Sequence, residues 1–193
     1  MSKIRTAIFG GSFDPIHNGH IALARAVRDS GLADEVWFLI TPLNPHKQGT
    51  NLTDEKVRFA MASLALEGER GLVASDFEFS LPRPSYTINT LDALERAFEG
   101  REFLLLMGAD NWRKIDRWYK GDEIVSRFGI IVYPRGDEEQ PTLPSNVQWL
   151  RLPLYDISST EVRRAVSAGD DISQWLHPAV HNFIKENKLY VDL

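Results

Sequence analysis

Residues 6–20 of the chain read TAIFGGSFDPIHNGH, and this stretch decides the fold. A strand predicted over residues 5–9 runs directly into Gly10 and Gly11, and a helix is predicted soon afterwards. A buried strand that ends in a glycine turn before a helix is typical of a parallel α/β sheet. Because the two glycines carry no Cβ, a phosphate or a sugar could approach the backbone amides of the turn. A tight turn between strand and helix would explain the glycines alone equally well.

The same alternation of apolar runs and amphipathic segments continues along the chain. Strands are predicted at residues 5–9, 35–40, 103–107, 129–133 and 147–150, with residues 72–79 as a weaker candidate. Helices are predicted at residues 21–29, 53–66, 89–98 and 159–168 and from Pro178 onward. Thr53 is expected to cap the second of these helices. The predicted fold class is therefore α/β, a doubly wound parallel sheet, in a single domain over residues 1–193.

The composition excludes several classes of protein and of site. The chain has 193 residues, 43% of them hydrophobic, a formal net charge of −5 and no cysteine. Disulfides, cysteine-ligated zinc and a thiol nucleophile are therefore excluded. The acidic balance argues against a nucleic-acid partner and favours small-molecule partners. No cleavage site follows the amino terminus and no apolar run approaches membrane-spanning length, so we expect a cytoplasmic protein with no membrane partner.

His17 and His20 close the opening stretch and lie three residues apart at the start of the first helix. At this spacing both imidazoles face the same way. A zinc pair is one interpretation, but a third protein ligand and an HExxH arrangement are lacking. A solvated pair at the start of a helix is a second interpretation, and a pair of donors to a phosphate is the third.

Residues 157–166 read ISSTEVRRAV and open another predicted helix with three hydroxyl residues. Ser158, Ser159 and Thr160 could cap this helix, but free amides and hydroxyls at the positive end of a helix also form an anion site. Arg163 lies one turn on from Ser159, so its guanidinium could meet the same anion. Read alone, the segment is more simply a capped helix with a surface arginine.

Together these two segments resemble the signatures of the HxGH nucleotidyltransferase superfamily. HNGH at residues 17–20 and ISSTxxR at residues 157–163 match the signatures in the expected order. The resemblance implies a Rossmann-like fold and catalysis by positioning and charge stabilisation at the α-phosphate, without a covalent intermediate. It implies catalytic roles for His17, His20, Lys47 and Arg163. It also implies that ATP is bound by Gly10, Gly11, Ser12, Phe13, His17, His20, Gly108, Asp110, Arg135, Ile157, Ser158, Ser159 and Arg163.

Two of these ATP-binding residues, Gly108 and Asp110, follow the strand predicted at residues 103–107. A carboxylate at the carboxyl end of a parallel strand suits the ribose hydroxyls of a ligand. A cap for the following helix is the alternative. The superfamily assigns its GxD element at this place to the nucleoside ribose, and Arg135 matches a position that packs against adenine in relatives.

The acceptor is indicated by RPSYTINTL at residues 83–91 and RWYKGDEI at residues 117–124. Both resemble elements of the bacterial nicotinate-nucleotide adenylyltransferases. The resemblance implies that Thr87 lies near the pyridine carboxylate and that Trp118 stacks on the pyridine ring. A helix cap and a packing tryptophan are the plainer interpretations of these two residues. The implied acceptor site comprises Ser12, Thr41, Asn44, His46, Lys47, Ser85, Thr87, Trp118 and Tyr119.

One element departs from the common pattern of that family. Residues 41–47 read TPLNPHK, whereas many relatives carry PPHK or PPHR, so Asn44 stands in place of the first proline. His46 and Lys47 still supply donors for a phosphate. We therefore expect the site to be kept on a loop of altered path.

The resemblance spans residues 4–190 and implies transfer of AMP from ATP to nicotinate mononucleotide, which gives nicotinate adenine dinucleotide (NaAD) and pyrophosphate. Mg²⁺ would arrive with the triphosphate, because the chain shows no dedicated carboxylate cage. The alternatives are a sister transferase for nicotinamide mononucleotide or phosphopantetheine, a non-catalytic nucleotide sensor, and an RNA-acting protein. The sequence does not fix the oligomeric state, and a homodimer is compatible with it.

Overall fold

The computed structural model describes residues 3–43, 52–134, 138–151 and 157–191. The strands in these ranges are β1 Ile4–Gly11, β2 Glu35–Ile40, β3 Leu72–Ser75, β4 Arg101–Gly108, β5 Gly129–Tyr133 and β6 Val147–Trp149. They form one sheet in the order β3-β2-β1-β4-β5-β6. Every neighbouring pair is parallel. The predicted α/β class with a parallel sheet is confirmed.

The helices fill the connections between the strands. They are α1 Asn18–Asp29, α2 Glu55–Leu66, α3 Thr87–Ala97, α4 Ala109–Trp112, α5 Gly121–Arg127, α6 Ser159–Ala168 and α7 Pro178–Glu186. Short 3₁₀ turns occupy Phe77–Ser80 and Ile115–Arg117. Within the described ranges no helix is long and apolar enough to span a membrane.

Helices cover both faces of the sheet. Ala7 and Phe9 of β1 belong to one buried cluster and Ile8 to a second, because successive strand side chains point to opposite faces. The first cluster includes apolar side chains of α1, α2, α6 and α7, and the second includes those of α3 and α5. The sheet is therefore doubly wound, as the sequence predicts.

The strand order reverses between β1 and β4, which are direct neighbours. In open α/β sheets, ligands bind in the crevice at the carboxyl ends of the strands where the order reverses. β1 ends at Gly11 and β4 at Gly108. Both predicted glycine elements therefore lie at this crevice.

Several predicted boundaries are wrong by a few residues. α1 begins at Asn18 and not at residue 21, so the histidine segment lies at the start of that helix. α3 begins at Thr87 and not at residue 89, so Thr87 lies in its first turn. The candidate strand at residues 72–79 ends at Ser75, and a 3₁₀ turn follows it. α5 was not predicted. That residues 1–193 form a single domain remains a prediction.

The cap of α2 is Asp54, and the prediction of Thr53 is wrong. The carboxylate of Asp54 accepts a hydrogen bond from Lys56 N at 2.9 Å. Thr53 is engaged elsewhere, since its backbone N donates to the Asp14 carboxylate and its carbonyl accepts from Arg58.

Candidate active site

The glycine turn at the end of β1 is open at one glycine and closed at the other. A Cβ on Gly10 would meet no atom within 4 Å, whereas a Cβ on Gly11 would lie 3.0 Å from the ring of Phe13. Phe13 has a φ of 46°, an uncommon value for a side chain of this size, and its ring is buried. The Phe13 ring therefore packs against the turn at Gly11. A ligand would approach the backbone at Gly10, where no other atom is close.

The two predicted histidines lie together at the start of α1. Their rings stack, with centroids 3.6 Å apart and an interplanar angle of 23°, so the predicted common orientation is confirmed. His17 is buried and His20 is half-buried. The rings of Phe9 and Phe13 pack edge-on against His20 and fix its position.

A backbone hydrogen bond selects the tautomer of His20. Its Nδ1 accepts from the backbone N–H of His17 at 3.2 Å. The neutral imidazole therefore carries its proton on Nε2. A ring held in this way presents a fixed N–H donor, which is the group that an oxygen of a transferring phosphate needs.

The amide residue of the HNGH segment joins α1 to the carboxyl-terminal part of the chain. Asn18 donates through its backbone N to the carbonyl of Trp175 at 2.9 Å. Its side-chain amide donates to the carbonyl of Gln174 at 3.1 Å. Asn18 therefore fixes the entry of the helix that carries the histidines.

The start of α6 is tied directly to the turn that follows the glycines. Ser159 Oγ donates to the carbonyl of Pro15 at 2.9 Å. Arg163 donates through one guanidinium nitrogen to the carbonyl of Asp14 at 2.7 Å and through another to Thr160 Oγ1 at 3.4 Å. The two segments predicted to bind phosphate, about 140 residues apart in sequence, are brought into contact.

Ser158 caps α6, so the plainer interpretation of this residue as a helix cap is confirmed. Its Oγ accepts from Glu161 N at 3.2 Å, and the Glu161 carboxylate accepts from Ser158 N at 2.7 Å. The hydrogen bonds that Ser158 donates through its hydroxyl and its backbone N–H lower the pKa of the exposed Glu161 carboxyl. A surface depression of about 500 Å³ runs along α6 beside Thr160, Arg163, Arg164, Ser167 and Ala168.

At the end of β4, Gly108 and Asp110 form a close pair. Gly108 is the N-cap residue of α4 and Asp110 lies in its first turn, so the alternative of Asp110 as the cap is wrong. A Cβ on Gly108 would lie 2.5 Å from the Asp110 carboxylate. The glycine therefore makes room for the carboxylate beside the crevice, where a ribose would meet it.

Apart from Ser12 in the turn after β1, the predicted acceptor residues within the described ranges come from three segments, after β2, at the start of α3 and after β4. Thr41 follows β2 and is buried, and its backbone N donates to the carbonyl of Gly11 at 2.9 Å. Ser85 is buried just before α3 and donates through its backbone N to the carbonyl of Leu43 at 3.2 Å. Thr87 is half-buried and begins α3.

The predicted Trp-Tyr pair lies beside the same helix. Tyr119 is exposed and its ring lies 4.9 Å from that of Tyr86. Trp118 is half-buried against the second apolar cluster. Part of the Trp118 indole is therefore covered by apolar side chains. The contact between Tyr86 and Tyr119 keeps the Trp-Tyr segment next to Ser85 and Thr87.

Comparisons with known proteins identify the family of the chain. The cytidylyltransferase-like family matches residues 8–165. A protein of Bacteroides fragilis named as a probable nicotinate-nucleotide adenylyltransferase is 45% identical over all of this chain and 96% of its own. A protein of Bacteroides thetaiotaomicron with the same name is 41% identical over 96% of this chain and 93% of its own.

The chain belongs to the nicotinate-nucleotide adenylyltransferase family. The fold has a solved counterpart in the nicotinic acid mononucleotide adenylyltransferase of Plasmodium falciparum complexed with NaAD. The TM-score is 0.81 and the identity 22%, with 97% of each chain covered. The same Plasmodium enzyme complexed with APC gives a TM-score of 0.79 at the same coverage.

Four residues predicted for the adenylyltransferase site lie outside the described residues. They are Asn44, His46, Lys47 and Arg135. Their roles stay predictions.

A buried arginine that was not predicted ties the two sides of the adenylyltransferase crevice together. The Arg58 guanidinium donates to the carbonyls of Ser12 at 2.6 Å, Thr41 at 3.1 Å and Thr53 at 2.8 Å. Burial lowers its pKa, but an arginine keeps its charge. A signal was available in the sequence, because Arg58 shares a helix face with Met61 and Ala62, both of which are buried.

Asp14 extends this network to the carboxyl-terminal segment. Its carboxylate accepts from the Tyr190 hydroxyl at 2.6 Å and from Thr53 N at 3.2 Å. Burial and the Asp14 charge both raise the pKa of Tyr190, so its hydroxyl remains a donor. The Asp14 carbonyl also accepts a hydrogen bond from the Arg163 guanidinium, so the network reaches α6.

Proposed function

We propose that this protein transfers AMP from ATP to nicotinate mononucleotide and releases NaAD and pyrophosphate, as a step of NAD biosynthesis. The contact between the HNGH turn and the start of α6 carries the proposal, through Ser159 on Pro15 and Arg163 on Asp14. It builds one anion site from two helix starts and a glycine turn. The acceptor is inferred from the family, whose relatives are named as nicotinate-nucleotide adenylyltransferases.

In this reaction an oxygen of the acceptor phosphate attacks the α-phosphorus of ATP in line. The new bond forms between these two atoms, and the bond from the α-phosphorus to the bridging oxygen breaks. That oxygen keeps the electron pair and leaves as pyrophosphate. No general base is required, because the acceptor phosphate is already largely ionised at neutral pH.

The protein contributes donors at positions fixed before ATP binds. His20 Nε2–H would stabilise charge on the transferring phosphate, with His17 stacked against it. Ser158, Ser159 and Arg163 would hold the leaving pyrophosphate at the start of α6. Asp110 would accept from the ribose hydroxyls beside Gly108.

The acceptor would bind beside the start of α3. Thr87 and the first amides of α3 would meet the pyridine carboxylate, since helix starts favour anions. The exposed face of Trp118 would stack on the ring. Ser12, Thr41 and Ser85 would support these groups, and His46 and Lys47 are predicted to bind the acceptor phosphate.

A divalent cation, Mg²⁺, would neutralise charge on the triphosphate. In the described ranges no three His, Cys, Asp or Glu side chains cluster so as to hold a metal. Magnesium commonly binds through substrate phosphates with few protein ligands, and such binding fits this donor set. Localisation in the cytoplasm and a homodimer stay predictions, and light scattering of the purified protein at several concentrations measures the second.

The test is pyrophosphate release from ATP and Mg²⁺ with nicotinate mononucleotide, nicotinamide mononucleotide or phosphopantetheine as acceptor. We expect nicotinate mononucleotide to have the highest kcat/KM, by at least about tenfold, since one charge-assisted hydrogen bond contributes about 1.5–3 kcal/mol. If another acceptor is preferred, the proposed acceptor is wrong but the transfer of AMP from ATP is still supported. No pyrophosphate with any acceptor would contradict the transfer itself.

A further inference from the structure

Glu78 is a buried carboxyl group that the proposed mechanism does not use. It lies in the 3₁₀ turn Phe77–Ser80 and is 5% exposed. One oxygen, Oε1, accepts from Thr90 Oγ1 of α3 at 2.7 Å. The carboxyl group therefore packs directly under the helix whose first residue is Thr87.

The second oxygen of this carboxyl group is not satisfied within the described residues. Glu78 Oε2 and Ser85 Oγ are both buried and neither has a hydrogen-bond partner there. The hydroxyls of Thr41 and Ser85 lie near enough to lower the pKa of Glu78 but do not complete a bond to Oε2. An ionised oxygen without a donor is costly to bury, whereas a protonated one can itself donate to a nearby hydroxyl.

The surroundings of Glu78 favour its neutral form. Burial is the largest influence and raises its pKa above the ordinary value, against the lowering effect of the Thr90, Thr41 and Ser85 hydroxyls. Among the described residues, no charged group contributes to this shift. The charged side chains on the surrounding elements are Asp76 beside it, Arg83 before α3, Glu35 on β2, Glu55, Lys56 and Arg58 on α2, and Asp92, Glu95 and Arg96 on α3.

The carboxyl group is close to the expected position of the acceptor. Thr87 and Thr90 are three residues apart on α3 and share a face, with Cβ atoms about 5–6 Å apart. Thr90 contacts Glu78 directly, and Thr41 and Ser85 are themselves predicted acceptor residues. A nicotinate carboxylate held by Thr87 would therefore lie about 10 Å or less from the Glu78 carboxyl group, which is about the length of two helical turns.

We propose that Glu78 is a specificity-determining residue whose protonation state sets the preference for nicotinate over nicotinamide mononucleotide. This inference rests on the proposed function. A neutral Glu78 leaves the acceptor carboxylate unopposed, whereas an ionised Glu78 repels it across a poorly screened interior. The uncharged amide does not experience this repulsion. Glu78 would act through the electric field in the acceptor site and not by touching the reacting atoms.

The sign of the pH dependence follows from this arrangement. Below the pKa of Glu78 the carboxyl is neutral and the preference for nicotinate is high. As the pH rises through that pKa the carboxyl ionises and the preference falls. The acceptor phosphate also titrates in this range, but both acceptors carry the same phosphate, so its effect cancels in the ratio of the two kcat/KM values.

The experiment measures this ratio for the wild type, Glu78→Gln and Thr90→Val between about pH 5.5 and 8.5. The wild-type ratio should fall by about tenfold over the range. In Glu78→Gln the ratio should stay at its acidic value, because the side chain cannot ionise. Thr90→Val removes a donor that favours the ionised form, so the fall should move to higher pH. Glu67→Gln, an exposed change at the far end of α2, is the matched control and should follow the wild type.

A ratio that is flat with pH in the wild type would overturn the inference, as would an unchanged fall in Glu78→Gln. Thermal melts of each variant establish that the compared proteins are folded, and Thr90→Val tests the inference separately if Glu78→Gln does not fold. Failure of the proposed function looks different, because nicotinate mononucleotide would then not be consumed at any pH.

Discussion

The phosphate side and the acceptor side of the crevice are built in different ways. On the phosphate side, side chains bond directly to backbone carbonyls of the turn after β1, as Ser159 does to Pro15 and Arg163 to Asp14. On the acceptor side, three separate segments meet through the buried Glu78 and through the contact of Tyr86 with Tyr119. The first arrangement fixes the two predicted phosphate-binding segments against each other, and the second relies on packing and on one buried carboxyl group.

This difference suits the chemistry. Transfer of a phosphoryl group depends on donors that are already oriented when charge develops. Recognition of an acceptor needs only a difference in affinity between similar molecules. A superfamily with one transfer reaction and many acceptors can therefore keep the phosphate side and change the other.

The largest expected effect comes from the residue shared by both sides. Arg58→Met leaves the buried carbonyls of Ser12 and Thr41 without their donor. Each such group costs about 1–3 kcal/mol, so the free energy of unfolding should fall by about 3 kcal/mol. Urea unfolding measures the change. Where the protein still folds, the KM values for both substrates should rise.

Arg58→Lys is the control for Arg58→Met. A lysine keeps the charge but cannot reach three carbonyls in the geometry of a guanidinium. Its loss of stability should be intermediate. A Met variant as stable as the wild type would show that the network does not join the two sides.

The second effect isolates the phosphate side. His20→Ala removes the oriented Nε2–H donor and should lower kcat by about 10²-fold, the usual cost of losing one donor to a transition state. Steady-state rates and a thermal melt are the measurements. His181→Ala, a change on α7 away from the crevice, should keep the wild-type rate. Near-normal turnover in a folded His20→Ala protein would contradict the catalytic role.

The opening unit of the fold could be predicted because its information is local. The strand, the two glycines and the histidine pair lie within about fifteen residues, and the imidazoles meet because His17 is the N-cap residue of α1 and His20 bonds back to its backbone N–H. The contact of Ser159 with Pro15 has no local signal. Only the resemblance to a known family indicated that the two segments would meet.

The burial of two charged residues, Arg58 and Glu78, was not predicted from the sequence. Arg58 shares the face of α2 that carries Met61 and Ala62, but a charged side chain is usually taken to face solvent. Glu78 alternates with two phenylalanines, which indicates a strand, but the chain turns there to bring its carboxyl to Thr90. Both errors arise because a polar side chain can be buried when distant segments supply its hydrogen bonds.

A third prediction separates the two substrates on the phosphate side. Arg163→Ala should raise the KM for ATP by about tenfold and leave the KM for the acceptor nearly unchanged, since a charge-assisted hydrogen bond contributes about 1.5–3 kcal/mol. Arg164→Ala removes an exposed neighbouring charge from the same depression and is the matched control. Equal losses for both substrates would mean that Arg163 acts only through its bond to the Asp14 carbonyl.

The smallest effect tests the acceptor side. Trp118 is half-buried in the second apolar cluster, so only part of its indole is free to stack on a pyridine ring. Trp118→Ala should raise the acceptor KM by about five- to tenfold, because a stacked aromatic pair contributes about 0.5–1.5 kcal/mol beyond the area it buries, and should leave the KM for ATP unchanged. Trp118→Phe keeps a flat ring and should recover most of the loss. Steady-state kinetics with each substrate varied in turn give both constants, and a thermal melt gives the cost of the lost packing. If Trp118→Ala melts lower but keeps its acceptor KM, the indole is a packing residue, and the acceptor side would then depend on Thr87 and the start of α3 for its recognition of the pyridine.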